Sequence, residues 1–368
     1  MKIAYLNTVG IPARYGGFET SVEEVSTRLV RKGHEVTVYC GSNSGAKYSS
    51  YEGVNLINLP RVSSKFLDFP LRCLLATIDA MPRDFDILHY HDEYSPVFAS
   101  VPRVLSRTVV ITLGAPNWNR SSYPWLAQFL LRSSSRLAMY VPHATTVDSC
   151  WVREWYHATF GKAPVYIPHG ARVMPRGADP VVLQRYGVEE DRYVLFVGRL
   201  VSEKGVHHLI RAFNQSSVQS ELPLIIVGRD PYGGAYELSL KKIAKKNVRF
   251  LGYVYGADMD NLFKGAYLYV SASELEGTSP ALLSAMGFGN CVIVSDIPGN
   301  LEVVGDAGVT FKNRDCHDLS DKLSYLTSSP DVVREYRKRA VERITRFYTW
   351  DSVAERMERL YSSLIGEP

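Results

Sequence analysis

The segment Phe196–Gly205, FVGRLVSEKG, joins a predicted buried strand to a predicted amphipathic helix. The run YVLFV at 193–197, which overlaps the start of this segment, is apolar and rich in β-branched and aromatic residues. Such a run is typical of a strand covered on both faces. After it, Ser202 is a candidate N-cap, and apolar residues recur at helical spacing at Val206, Leu209, Ile210 and Phe213. The segment therefore predicts a strand–loop–helix unit of an α/β fold.

Two cations, Arg199 and Lys204, lie in the loop of this unit, beside the N-terminus of the predicted helix. The first backbone N–H groups of a helix have no intrahelical partners and attract anions. A guanidinium can bind two oxygens at once and an ammonium adds a compact charge, so the pair suits a diphosphate. Solvated loop cations are the alternative interpretation, and charge alone does not decide between the two.

The phrase GRLVSEKG at 198–205 resembles the donor-diphosphate motif of the retaining glycosyltransferases of family 4 (group 1), whose Arg and Lys match Arg199 and Lys204. The resemblance implies a GT-B fold, in which two doubly wound parallel-sheet, Rossmann-like domains face a cleft. Predicted strands alternate with helices through both halves, as two such α/β sheets require. We expect an N-terminal acceptor-side domain at 1–170, a linker rich in Pro and Gly at 171–190, a nucleotide-sugar-binding domain at 191–347 and a C-terminal helix at 348–368 that crosses back to the first domain.

Composition excludes several other classes of protein. The 368 residues suit two domains, and 46% hydrophobic with 22% charged residues is typical of a globular chain. A net charge of +4, with no nucleic-acid-binding motif, does not indicate a nucleic-acid partner. Five singly scattered cysteines favour reduced thiols, and the N-terminus, MKIAYLNTV, predicts a strand rather than a signal peptide. No apolar run is long enough to span a bilayer, so we expect a cytoplasmic protein.

The first predicted loop carries adjacent glycines in the phrase PARYGGFET at 12–20. Gly16 and Gly17 would let the backbone approach a ligand closely, although a tight turn with positive φ also explains such a pair. The whole phrase resembles the first loop of a subset of family 4 that includes rhamnosyltransferases. The resemblance implies that Gly16 or Gly17 meets the donor phosphate, with Arg14 and Tyr15 facing the acceptor.

The run DILHYH at 86–91 places His89 and His91 on one face of a predicted strand. An H-x-H pair without a clear third ligand is weak support for a metal, so we expect none. The resemblance implies instead that His91, at the end of the strand, contacts the donor sugar and the reaction centre. A structural role is the competing interpretation, and it accounts well for His89.

Two further segments resemble donor-binding motifs of the family. The run VRFLGY at 248–253 resembles a segment whose backbone contacts the nucleobase, which places Leu251 in the donor site. The run SELEGTSPALLSAMG at 273–287 resembles the E-x7-E motif, whose first Glu and following backbone hold the sugar. By this resemblance the sugar-binding residues are Glu276, Gly277, Thr278 and Ser279.

The second Glu of that motif, which accepts hydrogen bonds from both ribose hydroxyls in the family, is replaced here by Ser284. A carboxylate can accept from two hydroxyls at once, whereas a serine hydroxyl satisfies only part of that arrangement. Three explanations stay open. The donor carries deoxyribose, as dTDP-sugars do; another residue supplies the lost acceptor; or the donor site is inactive.

The sequence thus predicts a retaining hexosyltransferase that moves a hexose from a nucleotide-diphosphate sugar to a hydroxyl of a glycan or lipid-linked acceptor, with rhamnose favoured by the first loop. Arg199 and Lys204 would neutralise charge on the leaving diphosphate, with no metal or further cofactor, while His91 and Glu276 orient the sugar. The alternatives are a nucleotide-sugar 2-epimerase and a non-catalytic sugar-nucleotide-binding protein.

Aromatic and apolar residues near Arg120, Arg132 and Arg136 form a second candidate surface. Such a stretch could rest on the inner face of the membrane, as an enzyme that handles a lipid-linked acceptor would need. A surface loop followed by a core helix is the alternative interpretation.

Overall fold

The chain separates into two compact units in the computed structural model: Met1–His169 with Trp350–Pro368 forms the first unit, and Gly170–Thr349 forms the second. The structure describes residues 1–13, 16–41, 48–60, 68–115 and 125–366.

The described residues contain strands at β1 (Lys2–Leu6), β2 (Glu35–Gly41), β3 (Ser50–Tyr51), β4 (Val54–Leu59), β5 (Ile87–His91), β6 (Thr108–Leu113), β7 (Ala144–Val147), β8 (Val165–Tyr166), β9 (Val194–Val197), β10 (Leu224–Val227), β11 (Val248–Gly252), β12 (Leu268–Ser271), β13 (Cys291–Ser295) and β14 (Val309–Phe311). Their α-helices are α1 (Gly17–Arg31), α2 (Asp68–Ala80), α3 (Pro96–Val104), α4 (Trp125–Tyr140), α5 (Cys150–Phe160), α6 (Pro180–Arg185), α7 (Val206–Gln215), α8 (Ala235–Ile243), α9 (Gly256–Gly265), α10 (Pro280–Gly287), α11 (Pro298–Val304), α12 (Cys316–Thr327), α13 (Pro330–Phe347) and α14 (Trp350–Ile365).

Each unit is a sheet with a hydrophobic core on both of its faces. In β1, Ile3 and Tyr5 belong to one core, while Ala4 belongs to the other. In β9, Phe196 and Leu195 likewise point into opposite cores. Because successive side chains of a strand alternate between faces, a strand covered on both sides must be apolar throughout. This is the physical reason for the continuous apolar run YVLFV.

Strand order follows the doubly wound pattern in both units. The sheet of the second unit runs β11-β10-β9-β12-β13-β14 and is parallel throughout. The sheet of the first unit runs β3-β4-β2-β1-β5-β6-β7-β8, and among its described strands only the β3–β4 pair is antiparallel. The order reverses between β9 and β12 in one unit and between β1 and β5 in the other. In such folds a ligand binds at the carboxyl ends of the strands at this reversal point. The predicted pair of parallel-sheet α/β domains is confirmed.

Helix α14 packs within the first unit, on α1 and the core beside β1. Its Tyr361 is fully buried and hydrogen-bonds Tyr5 at 3.0 Å. On the rim, Asp351 pairs with Arg28 at 2.6 Å. The last helix of the sequence thus completes the core that the first strand begins.

The segment 171–190, predicted as a linker, is instead part of the second unit. It contains α6, whose Val182 and Leu183 are buried, and the Asp179 side chain accepts from the Val181 backbone N–H at 2.9 Å. Proline at the first turn of a helix and glycine after its end are normal capping features. Pro180 and Gly187 therefore mark the two ends of a short helix, and this explains why the linker prediction was wrong.

Candidate active site

The loop between β9 and α7 is fixed on both sides by backbone contacts. The Leu200 N–H donates to the Arg229 carbonyl at 2.9 Å, which ties the loop to the end of β10. Gly205 has a φ of 61°, and a Cβ there would lie 1.9 Å from the Ala272 carbonyl oxygen. Only glycine allows the loop to approach the segment after β12 so closely.

Ser202 does not cap α7 as predicted. The helix begins at Val206, after a short 3₁₀ turn at Ser202–Lys204 and the left-handed Gly205. The left-handed residue separates the turn from the helix, so the Ser202 side chain is too early in the chain to serve as its N-cap. The Ser202 hydroxyl instead donates to the Glu203 carboxylate at 3.0 Å.

Lys204 and Glu276 meet at the carboxyl ends of β9 and β12. The Lys204 Nζ contacts Glu276 Oε1, and the same oxygen accepts a hydrogen bond from Ser273 Oγ at 3.1 Å. The two charged side chains are only 18% and 14% exposed. The ammonium and the carboxylate are thus held together, largely out of solvent, at the reversal point of the strand order.

Arg199 lies in the same loop and is half-buried. Its guanidinium forms no ion pair or side-chain hydrogen bond with any other residue that the structure describes. A partly buried guanidinium keeps its charge and carries five donors, so it is well suited to bind an anion. The loop therefore supplies one cation paired with a carboxylate and one cation with its donors available.

The backbone that follows Glu276 contacts the start of α11, the helix that follows the neighbouring strand β13. A Cβ on Gly299, at the start of α11, would lie 2.3 Å from the Gly277 carbonyl oxygen, so the two segments are in backbone contact. Asn300 is fully buried and donates through Nδ2 to Ser295 Oγ at 2.9 Å. Thr278 and Ser279 are also buried.

The other predicted donor residues of the second unit lie on adjoining elements. Ser284 is half-buried on α10, and its hydroxyl has no hydrogen-bond partner among the described protein groups. Leu251 is half-buried near the end of β11, two strands from β9. Beside it, the Arg229 guanidinium packs against Gly252, with Nε 3.0 Å from where a Cβ of that glycine would be. Sequence reasoning missed Arg229, although it directly follows the buried strand β10 and Gly228.

In the first unit, the two predicted loop glycines form the start of α1. Gly16 has a φ of 107° and is the N-cap, while Gly17 is the first helical residue. Side chains with a Cβ rarely adopt this φ, so the position favours glycine. Burial raises the pKa of Glu19. Arg14 and Tyr15, the predicted acceptor residues, lie outside the described residues.

The two histidines of β5 have different environments. His89 is fully buried, and both ring nitrogens are used, by Tyr361 at 2.5 Å and by Thr112 at 2.7 Å. It is therefore a structural residue with no nitrogen left for a metal. The His91 ring stacks on it at 4.6 Å between centroids, and its buried Nδ1 has no partner among the described residues.

An acid–imidazole pair that sequence reasoning missed lies near His91. Asp148 Oδ2 is 3.4 Å from His169 Nε2, and both side chains are buried. The Phe18 ring is 5.9 Å from the His91 ring and 6.0 Å from the His169 ring. These residues line a cavity of about 20 Å³, which is roughly enough for one water. The only signal for this pair was the phrase IPHG at 167–170.

Acid is expected to destabilise the fold through His91. Burial lowers the pKa of His91 to about 4, against about 6.5 when unfolded. Between these two pKa values the unfolded chain binds more protons than the folded chain. The stability that neutral His91 contributes to the fold is therefore complete above about pH 6.5 and is lost as the pH falls towards about 4, by up to about 3 kcal/mol. Urea unfolding should show a shallower dependence on pH for His91→Gln. The same substitution at exposed His157 should leave the wild-type slope, and an unchanged slope in His91→Gln would contradict the expectation.

Two doubly wound parallel sheets, each with polar groups where its strand order reverses, define an α/β protein of the GT-B class. A family model described as glycosyl transferases group 1 matches residues 183–346, and one described as glycosyltransferase family 4 matches residues 15–180. The chain belongs to the group 1, family 4 glycosyltransferases.

Relatives and solved structures agree with this membership. Phosphatidyl-myo-inositol mannosyltransferase of Mycolicibacterium smegmatis is 27% identical, over 95% of this chain and 91% of the relative. Alpha-maltose-1-phosphate synthase of the same species is 28% identical, over 98% of this chain and 99% of the relative. Sucrose-phosphate synthase of Thermosynechococcus elongatus superposes with a TM-score of 0.85, at 18% identity over 99% of both chains. Anabaena HepE, solved with UDP and glucose, superposes with a TM-score of 0.81 at 19% identity, over 99% of this chain and 100% of the HepE chain. At these identities the likeness to the solved structures shows the fold.

Proposed function

We propose that this glycosyltransferase moves a hexose from a nucleotide-diphosphate sugar to a hydroxyl of a glycan or lipid-linked acceptor, with retention of configuration. The observation that carries the proposal is the pair of partly buried cations in one loop, Arg199 and Lys204, of which Lys204 contacts Glu276 at the reversal point of the second sheet. The chemistry of nucleotide-sugar transfer needs fixed positive charge where the diphosphate departs.

The mechanism assigns one task to each group. Arg199 binds phosphate oxygens through its donors, and Lys204 adds a compact positive charge. The stabilising effect of this charge increases as the sugar–phosphate bond breaks and negative charge develops on the diphosphate. Glu276 pairs with Lys204 in the nucleotide-free protein and accepts hydrogen bonds from sugar hydroxyls when the donor is bound. His91, neutral because burial lowers its pKa to about 4, is proposed to contact the sugar as a hydrogen-bonding group.

Relatives support a nucleotide sugar as co-substrate. HepE was solved with UDP-glucose, and the mycobacterial relative is named as a mannosyltransferase. Ser284 favours a donor with one ribose hydroxyl fewer, such as a dTDP-sugar, and the first loop favours rhamnose. A 2-epimerase or a non-catalytic binding protein would use the same donor groups without transfer.

The test is a thermal-shift panel of nucleoside diphosphates and their sugars, followed by product analysis with and without acceptor. We expect stabilisation by one nucleotide-diphosphate sugar and glycoside formation that requires the acceptor. Conversion of the donor sugar without acceptor would identify an epimerase. Binding without any transfer or hydrolysis would identify a binding protein, and no binding at all would overturn the proposal.

Removal of divalent metal is expected to leave transfer largely intact, because Arg199 and Lys204 provide the positive charge at the diphosphate. Initial rates measured with EDTA should be more than about half of those without it. Addition of Mg²⁺ or Mn²⁺ to the chelated enzyme should then give no further increase. A rate that collapses with EDTA and returns with either ion would contradict the proposed role of the two cations.

A surface suited to an anionic membrane is formed by α3 and α4, which pack on each other in the first unit. Among the described helices none is long and apolar enough to cross a membrane. The exposed apolar and aromatic side chains on these two helices include Val97, Val101, Val104, Trp125, Phe129, Leu130, Leu137 and Tyr140. The exposed cations among them are Arg103, Arg132 and Arg136. Large exposed apolar patches with basic residues fit a membrane interface.

We infer that this α3–α4 surface rests on anionic lipid and gives access to a lipid-linked acceptor. The protein should float with anionic liposomes at low salt, and bound fractions should fall at least about fivefold when Trp125 and Phe129, 77% and 62% exposed, are changed together to Ser. Leu238→Ser, which removes a 61% exposed leucine from α8, is the matched control and should float as wild type. Absence of flotation at low salt would remove the membrane proposal.

A further inference from the structure

Two histidines and a glutamate meet on the second unit, outside the group of residues assigned to the donor. His207 and His208 follow the left-handed Gly205 in the first turn of α7, and Glu274 follows β12. The side chains are 24%, 14% and 19% exposed, respectively. We call these three residues the His–His–Glu cluster. The family resemblance assigns no role to any of them.

The distances within the cluster match those between ligands of a metal ion. Glu274 Oε1 is 3.2 Å from His208 Nε2 and 3.8 Å from His207 Nε2. One ligand atom from each residue can be chosen so that all three lie within 4.8 Å of one another. In a tetrahedral zinc site with bonds of about 2.0–2.1 Å, neighbouring ligand atoms are about 3.3 Å apart. Only small side-chain movements are therefore needed to coordinate one ion.

Each member of the cluster is held by a separate outer contact. His207 Nδ1 hydrogen-bonds the Tyr236 hydroxyl at 2.7 Å, and His208 Nδ1 lies 3.7 Å from Cys316 Sγ. Arg314 pairs with the other carboxylate oxygen, Glu274 Oε2, at 2.6 Å. Such outer contacts fix ring orientation and tautomer in metal sites. They leave the Nε2 atoms of both rings near Glu274 Oε1, at 3.8 Å for His207 and 3.2 Å for His208.

We propose that the His–His–Glu cluster binds one Zn²⁺ ion through His207 Nε2, His208 Nε2 and Glu274 Oε1, with water completing the coordination. Two imidazoles and one carboxylate are a donor set that zinc accepts. The Glu274 backbone N–H donates to the Glu203 carbonyl at 2.8 Å, so the cluster lies where the loop after β9 meets the loop after β12. The ion would hold these two loops together. It supplies no charge to the diphosphate itself.

The test uses nucleotide-free, tag-free protein from which metal has been removed with a chelator. Calorimetry with Zn²⁺ should give one saturable site, and Co²⁺ should give the visible absorption of a four- or five-coordinate ion. Glu274→Gln, which nearly preserves shape, and the double variant His207→Ala/His208→Ala should each weaken Zn²⁺ binding by at least about tenfold. Zn²⁺ should raise the melting temperature of wild type but not of either variant.

Exposed His317, two residues beyond Asp315 at the start of α12, gives the matched control. His317→Ala should bind Zn²⁺ as wild type does. No saturable site in wild type, or equal affinity in wild type and Glu274→Gln, would overturn the proposal. Circular dichroism shows whether the double variant is folded. If the double variant is unfolded, the Zn²⁺ affinity of Glu274→Gln decides the test. Because Zn²⁺ binding is measured without nucleotide or acceptor, this test can fail or succeed independently of the transferase proposal.

Discussion

Lys204→Ala is expected to lower kcat/KM for sugar transfer by about 100-fold or more, the scale on which one preorganised charge contact is lost from a transition state. The structure adds a reason for a large effect. The Lys204 ammonium contacts Glu276 in a largely buried position, so its removal takes away the cation that faces this carboxylate beside the place proposed for the diphosphate. The incoming phosphates then meet a negative charge instead of a cation. Steady-state kinetics with the donor identified by thermal shift measures the loss.

Two comparisons separate this expectation from a general loss of stability or charge. Lys241→Ala removes an exposed cation from α8 that pairs with Glu237, and it should leave kcat/KM within about twofold of wild type. Lys204→Arg keeps the charge and should recover part of the activity. If Lys204→Ala retained more than about a tenth of wild-type kcat/KM with an unchanged melting temperature, Lys204 could not be a principal stabiliser of the leaving group.

Ser284→Glu is expected to shift nucleotide preference towards ribose by about tenfold or more, the range of one to two charge-assisted hydrogen bonds. In wild type the half-buried Ser284 hydroxyl on α10 has no partner among the described protein groups, so it is available for one sugar hydroxyl. A carboxylate there can accept from the 2′- and 3′-hydroxyls together. Calorimetry with UDP and dUDP isolates the 2′-hydroxyl, because the two ligands share their base and diphosphate.

Wild type should bind dTDP at least as tightly as UDP, and dUDP about as tightly as UDP, if the donor carries deoxyribose. Ser284→Ala removes the hydroxyl without adding charge and should weaken both uridine ligands equally, by about two- to tenfold. Tighter binding of UDP than of dTDP and dUDP by wild type would rule out the deoxyribose explanation. It would then favour another residue as the acceptor for the 2′-hydroxyl.

The strand–loop–helix unit at 193–215 could be predicted from sequence because its signals are local. A continuous apolar run marks β9, and apolar residues that recur at helical spacing mark α7, so a short window of sequence identifies both elements. The same reasoning, together with the family resemblance, predicted two parallel-sheet domains, and this prediction is confirmed. It failed at 171–190, where Pro180 and Gly187 are ambiguous signals that occur both in linkers and at helix ends.

The sequence alone determined which residue types are present at strand ends: two cations after β9, carboxylates after β12, and histidines in β5. Tertiary structure decided which of them meet. Lys204 and Glu276 are 72 positions apart, and they become neighbours because β9 and β12 are adjacent in the sheet. The same sheet order brings Glu274 to His207 and His208, while another order brings Asp148 to His169 in the first unit. Strand order depends on how whole helices and sheets bury their apolar faces together, and no local window of sequence contains that information.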